Sequence, residues 1–320
     1  MSGTREKFRK SFVANSEEEF KFMLKAQLGI APIAWWNDDL AELSDDVSLD
    51  ECLRQASVAG LTGMETGRRF PMKIDELGHI LRQHSMSVCG GWFSGLLLTD
   101  DIEFEKDRIA QQLAFFKSAN APCIVYGETA KSVQGERNTP LGKKPKLNEA
   151  EMAVYARKIS DFSDWCAGEG MPLSYHHHMG AVVETEIELN SFMQHSSVPL
   201  LFDTGHMAFA GGNNLRVIEN HHKRISHVHT KDVRKSVIDR LDRTHDSFLD
   251  AVIKGAFTVP GDGSLDFEMI VKALASKKYE GWFVIEAEQD PIINPPLDMA
   301  IKGRRELKRV MDLAGYEVIG

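Results

Sequence analysis

Short apolar runs alternate along this chain with longer stretches in which apolar positions recur every three or four residues. Eight of the short runs are bounded by turn residues and rich in β-branched or aromatic side chains, which predicts strands. They are Leu28–Trp35, Gly60–Gly67, Met86–Phe93, Pro122–Glu128, Leu173–His178, Pro199–Thr204, Ile225–Thr230 and Trp282–Ala287. Between them lie helical patterns. Ser48 followed by Glu51 has the spacing of a capping box and opens a helix through Ala59. Lys73–His84 carries Ile74, Leu77, Ile80 and Leu81 on one stripe, and Asp101–Ser118 carries Ile109, Leu113 and Phe116. Further helices are predicted over Glu149–Glu169, Glu186–His195, Leu215–His222, Phe267–Ser276 and Ala300–Ala314.

Strands alternating with helices imply βαβ units and a parallel sheet. Eight such units predict an α/β fold of the closed (β/α)8 TIM-barrel type. An open doubly wound sheet would carry a glycine-rich phosphate turn after its first strand, and none follows Trp35. Residues 1–27 read as an N-terminal extension and 28–320 as one barrel domain. Two insertions, Lys131–Leu147 and Val233–Pro260, have little strand or helix character apart from an amphipathic piece at Phe248–Ile253. They are expected to close over or flank the barrel mouth, or to make a subunit contact.

Composition narrows the function classes. The 320 residues carry 38 basic and 47 acidic side chains, a formal charge of −9. That disfavours nucleic acid, whose phosphates need clustered Lys and Arg. No apolar run reaches the length of a membrane span. The N-terminus has basic residues but no apolar signal region, so a cytoplasmic protein is expected. Cys52, Cys89, Cys123 and Cys166 are widely separated, which suits reduced thiols better than disulfides or a thiolate metal site.

Reactive groups in a barrel sit at the C-terminal ends of strands. Here those ends carry Trp35, Trp36 and Asn37, then Glu65, Trp92, Tyr126 and Glu128. The later ends carry His176, His177 and His178, then Asp203 and His206, His227 and His229, and Glu286 and Glu288. Side chains at i and i+2 share a strand face, so His176/His178, His227/His229 and Glu286/Glu288 form pairs. Imidazoles and carboxylates pointing into one cavity are what a divalent cation needs, and the mixture suits Mn, Fe, Co or Zn better than Mg or Ca. Each residue also has a plain structural reading. A single strand-end histidine is usually hydrogen-bonded scaffold, Asp203 before Thr-Gly can cap a turn, and Glu65 and Glu128 can be caps or ion-pair partners. Trp35 can pack the barrel top or offer a flat face to a sugar ring. Lys231 can act as a base or oxyanion stabiliser, or pair with Asp232 at the surface. His79, His84, His195, His221 and His222 read as structural.

The segments LLFDTGHMAFAGG, ISHVHTKDVR, VPGDGSLDF and WFVIEAEQDP resemble the xylose-isomerase-like TIM-barrel superfamily, which includes endonuclease IV and sugar epimerases. More narrowly, IAPIAWWNDDL, GLTGMETGRRFP, YHHHMGAVVE and FTVPGDGSLDF resemble the inosose (2-keto-myo-inositol) dehydratases of inositol catabolism. The resemblance runs from about Gly29 to Asp290. It implies a hydro-lyase acting on a small keto-polyol, with manganese or cobalt as the metal, Zn, Fe or Mg as alternatives, and a glutathione requirement that nothing in the residues explains. It implies metal ligands at Asp203, His229 and Glu286. The superfamily's usual fifth-strand glutamate falls on His176, a departure that leaves the fourth ligand open between His176, His178 and Glu184. His206 matches a histidine that binds metal in some relatives and lies behind the ligands in others. His178, Lys231 and Glu65 are the acid–base candidates, with Trp35, Asn37, Trp92, Tyr126, Glu128 and Glu184 near the substrate or behind the ligands. The alternative reading is an isomerase or epimerase on the same barrel. An endonuclease-IV-like phosphodiesterase is disfavoured, because VPGDGSLDF lacks the histidine a trinuclear zinc site needs. A metal-stabilised sugar-binding protein would hold metal without turnover. A homo-oligomer is compatible with all of these.

Overall fold

The structure is a computed structural model that describes residues 23–40, 43 and 47–320. Residues 1–22, most of the expected extension, lie outside the described residues. The eight barrel strands are β1 (Leu24–Ile30), β2 (Gly63–Thr66), β3 (Ser87–Gly95), β4 (Ile124–Glu128), β5 (Leu173–His176), β6 (Leu200–Asp203), β7 (Ile225–Thr230) and β8 (Gly281–Ile285). Each pairs in parallel with the next, and β8 pairs with β1 from Ala26↔Gly281 to Ile30↔Ile285, which closes the barrel. The predicted (β/α)8 architecture is the observed one. β1 starts earlier than the apolar run predicts, because Leu24–Ala26 also pair with a short terminal strand, Tyr316–Val318.

The helices form where capping chemistry and apolar stripes coincide. Ser48 accepts from the Glu51 N–H, but Glu51 turns its own carboxylate to Arg54 and Gln55 instead of completing the box. Asn148 with Glu151, Thr185 with Glu188 and Ser247 with Asp250 make complete capping boxes. One helix, Thr204–Phe209, has no signature in the hydrophobic pattern. It is opened by Asp203, whose Oδ1 accepts from the His206 N–H at 2.7 Å.

Inside the barrel, small residues make room for large ones. A Cβ on Gly63 would fall 2.2 Å from the Trp282 ring, which fills the barrel floor, and a Cβ on Gly127 would fall 1.9 Å from the Trp92 ring near the top. The four cysteines are buried and unpaired. A second apolar cluster of Leu40, Leu141, Met179, Phe209, Phe248 and Phe257 sits apart from the main core and joins the two insertions to the strand tops. The insertions meet directly, with Leu141 N–H on the Asp246 carbonyl and Gly142 N–H on that of Arg243.

The second insertion is anchored by Asp232. Its carboxylate accepts from the backbone N–H groups of Val233, Gly261, Gly263, Ser264 and Leu265 at 2.7–3.3 Å. The VPGDGSL segment therefore wraps around one buried carboxylate that directly follows Lys231. Losing that acceptor would unpair several partly buried backbone donors at once. Asp232→Ala is expected to cost about 3 kcal/mol of stability, read as a lower denaturant midpoint, and Asp232→Asn is expected to cost less.

Candidate metal centre and active site

Four strand ends converge at the C-terminal mouth. His176 ends β5, Asp203 ends β6, His229 lies one residue before the end of β7, and Glu286 follows β8. One ligand atom from each falls in a group whose members are all within 4.8 Å of one another, and all four residues are buried. His176 Nε2 is 3.7 Å from Asp203 Oδ2, and His229 Nδ1 is 3.6 Å from the same oxygen and rests against Glu286 Oε2.

The hydrogen-bond partners fix which of these atoms carry lone pairs. His176 Nδ1 faces the His177 carbonyl at 2.7 Å; a carbonyl only accepts, so Nδ1 carries the proton and Nε2 is bare. His229 Nε2 donates to Glu65 Oε1 at 3.0 Å, which leaves Nδ1 bare. Asp203 uses Oδ1 as the helix cap and keeps Oδ2 free. All four inward atoms, His176 Nε2, Asp203 Oδ2, His229 Nδ1 and Glu286 Oε2, are buried without a hydrogen-bond partner. Buried polar atoms are rarely left so, and four lone pairs facing one point repel unless a cation lies among them. The donor set of two imidazoles and two carboxylates fits a divalent transition metal.

Glu65 supports this group from behind. Its Oε1 accepts from both His227 and His229 at 3.0 Å. Burial opposes ionisation of Glu65, but the two imidazoles outweigh it and hold its carboxyl at about 2. Burial likewise opposes the charge on His227, yet Cys123 and Glu65 carry it up to about 9. His176 and His206 are pushed down, mainly by burial, and stay neutral.

Beside the first group lies a second, in which His178, His206 and Glu288 bring three ligand atoms together. The Lys231 ammonium sits against it, 2.8 Å from both His206 Nε2 and Glu288 Oε2 and 3.3 Å from Glu286 Oε1. Lys231 is fully buried. Burial lowers its proton affinity, and Glu286, Glu288 and Asp203 more than restore it.

A cavity of about 480 Å³ opens above these groups. Trp36, Trp92, Thr66, Ser132 and Gln134 form part of its wall, and Glu65, His178, His229, Glu286 and Glu288 reach it from the barrel. Among the described residues, no lysine or arginine lines it. His178 donates Nδ1–H to the Met179 carbonyl at 2.8 Å, which leaves Nε2 bare; it lies 3.7 Å from Glu288 Oε1. Trp92 packs edge-on against His176 and His178, at 5.7 Å from each ring.

Other residues expected near the substrate lie elsewhere. Trp35 is not on a strand: Pro32 starts a 3-10 turn, and the Trp35 indole is buried on Gln55 at 2.7 Å while Trp36 takes the cavity wall. Asn37 closes a local turn on the Asp39 N–H. Tyr126 and Glu128 have the wrong strand parity. Gly127 is the β4 residue beneath Trp92, so its neighbours point outward, where Tyr126 packs on Phe162 and bonds Glu128 at 3.1 Å. Burial there raises the Glu128 carboxyl to about 7, against hydrogen bonds from Ala130, Tyr126, Leu98 and Tyr155. Glu184 is pinned to the Gly180 N–H and to Arg243, away from the four-atom group. Ser132 and Gln134 are wall residues that no spacing announces, because they belong to the first insertion.

The xylose isomerase-like TIM barrel family matches residues 53–310. Inosose dehydratase from Clostridium perfringens is 39% identical over 296 residues, covering 91% of this chain and 100% of that protein. The chain belongs to the inosose dehydratase family of xylose isomerase-like barrels. Another relative, the rhizopine catabolism protein MocC from Rhizobium meliloti, is 38% identical over 298 residues and 92% of each chain. Among solved structures, the barrel resembles the IolI protein with a bound zinc atom (TM-score 0.63, 14% identity, 90% of this chain and 98% of that one). It also resembles the probable 3-DHS dehydratase AsbF from Bacillus anthracis (TM-score 0.62, 13% identity, 88% and 97%). At these identities the likeness concerns the fold. Among the described residues of this family member, no helix is long and apolar enough to cross a membrane.

A cation at the four lone pairs competes with a proton for His229 Nδ1. Burial works against that proton, but Glu286 and Glu65 outweigh it and raise the His229 pKa well above its usual range. A proton therefore competes for the position above the ordinary imidazole range, and metal affinity is expected to rise with pH there. Calorimetry of Mn2+ binding in two buffers of different ionisation enthalpy should report a proton released per ion. Affinity that is flat with pH and free of proton release would contradict the arrangement.

Proposed function

We propose that this chain removes water from 2-keto-myo-inositol to give a trihydroxycyclohexane-dione, with a divalent ion held by His176, Asp203, His229 and Glu286. The observation that carries this reading is the convergence of four buried ligand atoms without hydrogen-bond partners beneath a cavity of small-molecule size, which His229 and Glu286 line. The identity to inosose dehydratases along the whole relative supports the substrate. Manganese or cobalt is the preferred ion, with zinc, iron or magnesium as alternatives. When bound, such an ion supplies Lewis acidity that favours an enolate over the ketone.

The chain's own residues supply the rest. His178 Nε2, bare and facing the cavity, takes the proton from the carbon beside the carbonyl. The hydroxyl one carbon further on leaves as water once a proton reaches its oxygen, and the enol tautomerises to the dione. The protonated His178, which lines the cavity, returns that proton. Glu65 acts through His229, whose ring it orients. Lys231 is enclosed and acts through Glu286 and Glu288, whose charges it offsets. Trp36 and Trp92 give the apolar face of a polyol ring somewhere to rest, and among the described residues no lysine or arginine lines the wall to pair with a phosphate.

Incubation of the metal-loaded protein with 2-keto-myo-inositol, with and without reduced glutathione, is expected to produce the dione's ultraviolet absorbance. Conversion to another inosose without water loss would overturn the dehydratase reading in favour of an epimerase. His178→Gln is expected to lower kcat by about 10²–10⁴ with metal retained, whereas Asp203→Asn is expected to lose metal and activity together.

A further inference from the structure

Seven buried ligand side chains crowd this barrel mouth, more than one ion uses. The second group, His178, His206 and Glu288, has the composition and closeness of a metal site in its own right. It repeats the first group one step further along the same elements: His178 follows His176 by two residues, Glu288 follows Glu286 by two, and His206 lies one helical turn after Asp203. A cation already sits against two of its three members. The Lys231 ammonium has three N–H groups, and three acceptors meet it: His206 Nε2 at 2.8 Å, Glu288 Oε2 at 2.8 Å and Glu286 Oε1 at 3.3 Å. The lysine stem is fixed, packed so closely on Gly205 that a Cβ there would fall 2.5 Å from Lys231 Cγ. His206 Nδ1 is left buried without a partner, as expected of a residue placed for contact on its other nitrogen.

We propose that His178, His206 and Glu288 form a second divalent-cation site that the Lys231 ammonium occupies, so that the centre carries one metal ion and His178 Nε2 is left free for proton transfer. This rests on the reading that the first group holds a metal. A resident ammonium offsets the carboxylates with one charge and offers no vacant coordination position, whereas a second divalent ion would take the His178 nitrogen as a ligand.

The test is metal stoichiometry and electron paramagnetic resonance of the full-length protein after equilibration with excess Mn2+. The wild type is expected to bind one ion per chain with an uncoupled six-line spectrum. Lys231→Ala, and Lys231→Gln, which keeps part of the stem against Gly205, are expected to bind two ions and show exchange-coupled lines. Adding Glu288→Gln to either is expected to return the count to one. Two ions in the wild type, or one ion in folded Lys231 variants, would overturn this proposal and leave the first site standing. No ion in the wild type would instead sink the metal reading itself. If the variants fold only when Mn2+ is present and then hold two ions, the proposal stands; if they stay unfolded in excess Mn2+, it fails.

Discussion

The constraint on which the site depends is electrostatic: lone pairs with no protons cannot be buried facing one another unless a positive charge lies between them. The surrounding hydrogen bonds engage the opposite atom of three of these side chains and so turn the inward atoms toward one point. The His177 carbonyl takes the other nitrogen of His176, Glu65 takes the other nitrogen of His229, and the Thr204–Phe209 helix takes the other oxygen of Asp203. The barrel supplies the geometry by ending four neighbouring strands on these residues, and the sheet's closed hydrogen bonding keeps the ends in register.

Charge is balanced in layers around that point. Glu65 ionises because two imidazoles share one of its oxygens. Lys231 remains charged in full burial because three carboxylates surround it. Removing either would leave uncompensated carboxylates or imidazoles in a dry interior, which is costlier than losing one surface ion pair. Asp232, the next residue, holds the loop that closes the second insertion, so the chain fixes the ammonium and the loop from adjacent positions.

Much of the barrel was legible in the sequence because its period switches from two to near 3.6 at each strand–helix boundary. Element ends were less so. β1 extends backwards to Leu24 because of a terminal strand that no periodicity marks, and β5 stops at His176 where two further histidines suggest continuation. The converging residues were legible as a pattern of strand ends, but their individual geometry was not. Glu65 faces the imidazoles behind the cation position. Tyr126 and Glu128 point the other way because Gly127 takes the inward place on β4. Trp35 gives way to Trp36 because Pro32 turns the chain before the strand run ends. Such outcomes depend on side-chain parity and local turns, which the type of residue at a strand end does not encode.

The site turns on a divalent cation that completes the four-atom group. The most direct test is a crystal structure of the protein grown with Mn2+, with data collected for manganese anomalous scattering. One strong anomalous peak per chain is expected, bounded by His176 Nε2, Asp203 Oδ2, His229 Nδ1 and Glu286 Oε2, with Glu65 still on His229 Nε2. A mouth without a peak, or a peak elsewhere with the four atoms turned to protein hydrogen bonds, would contradict it.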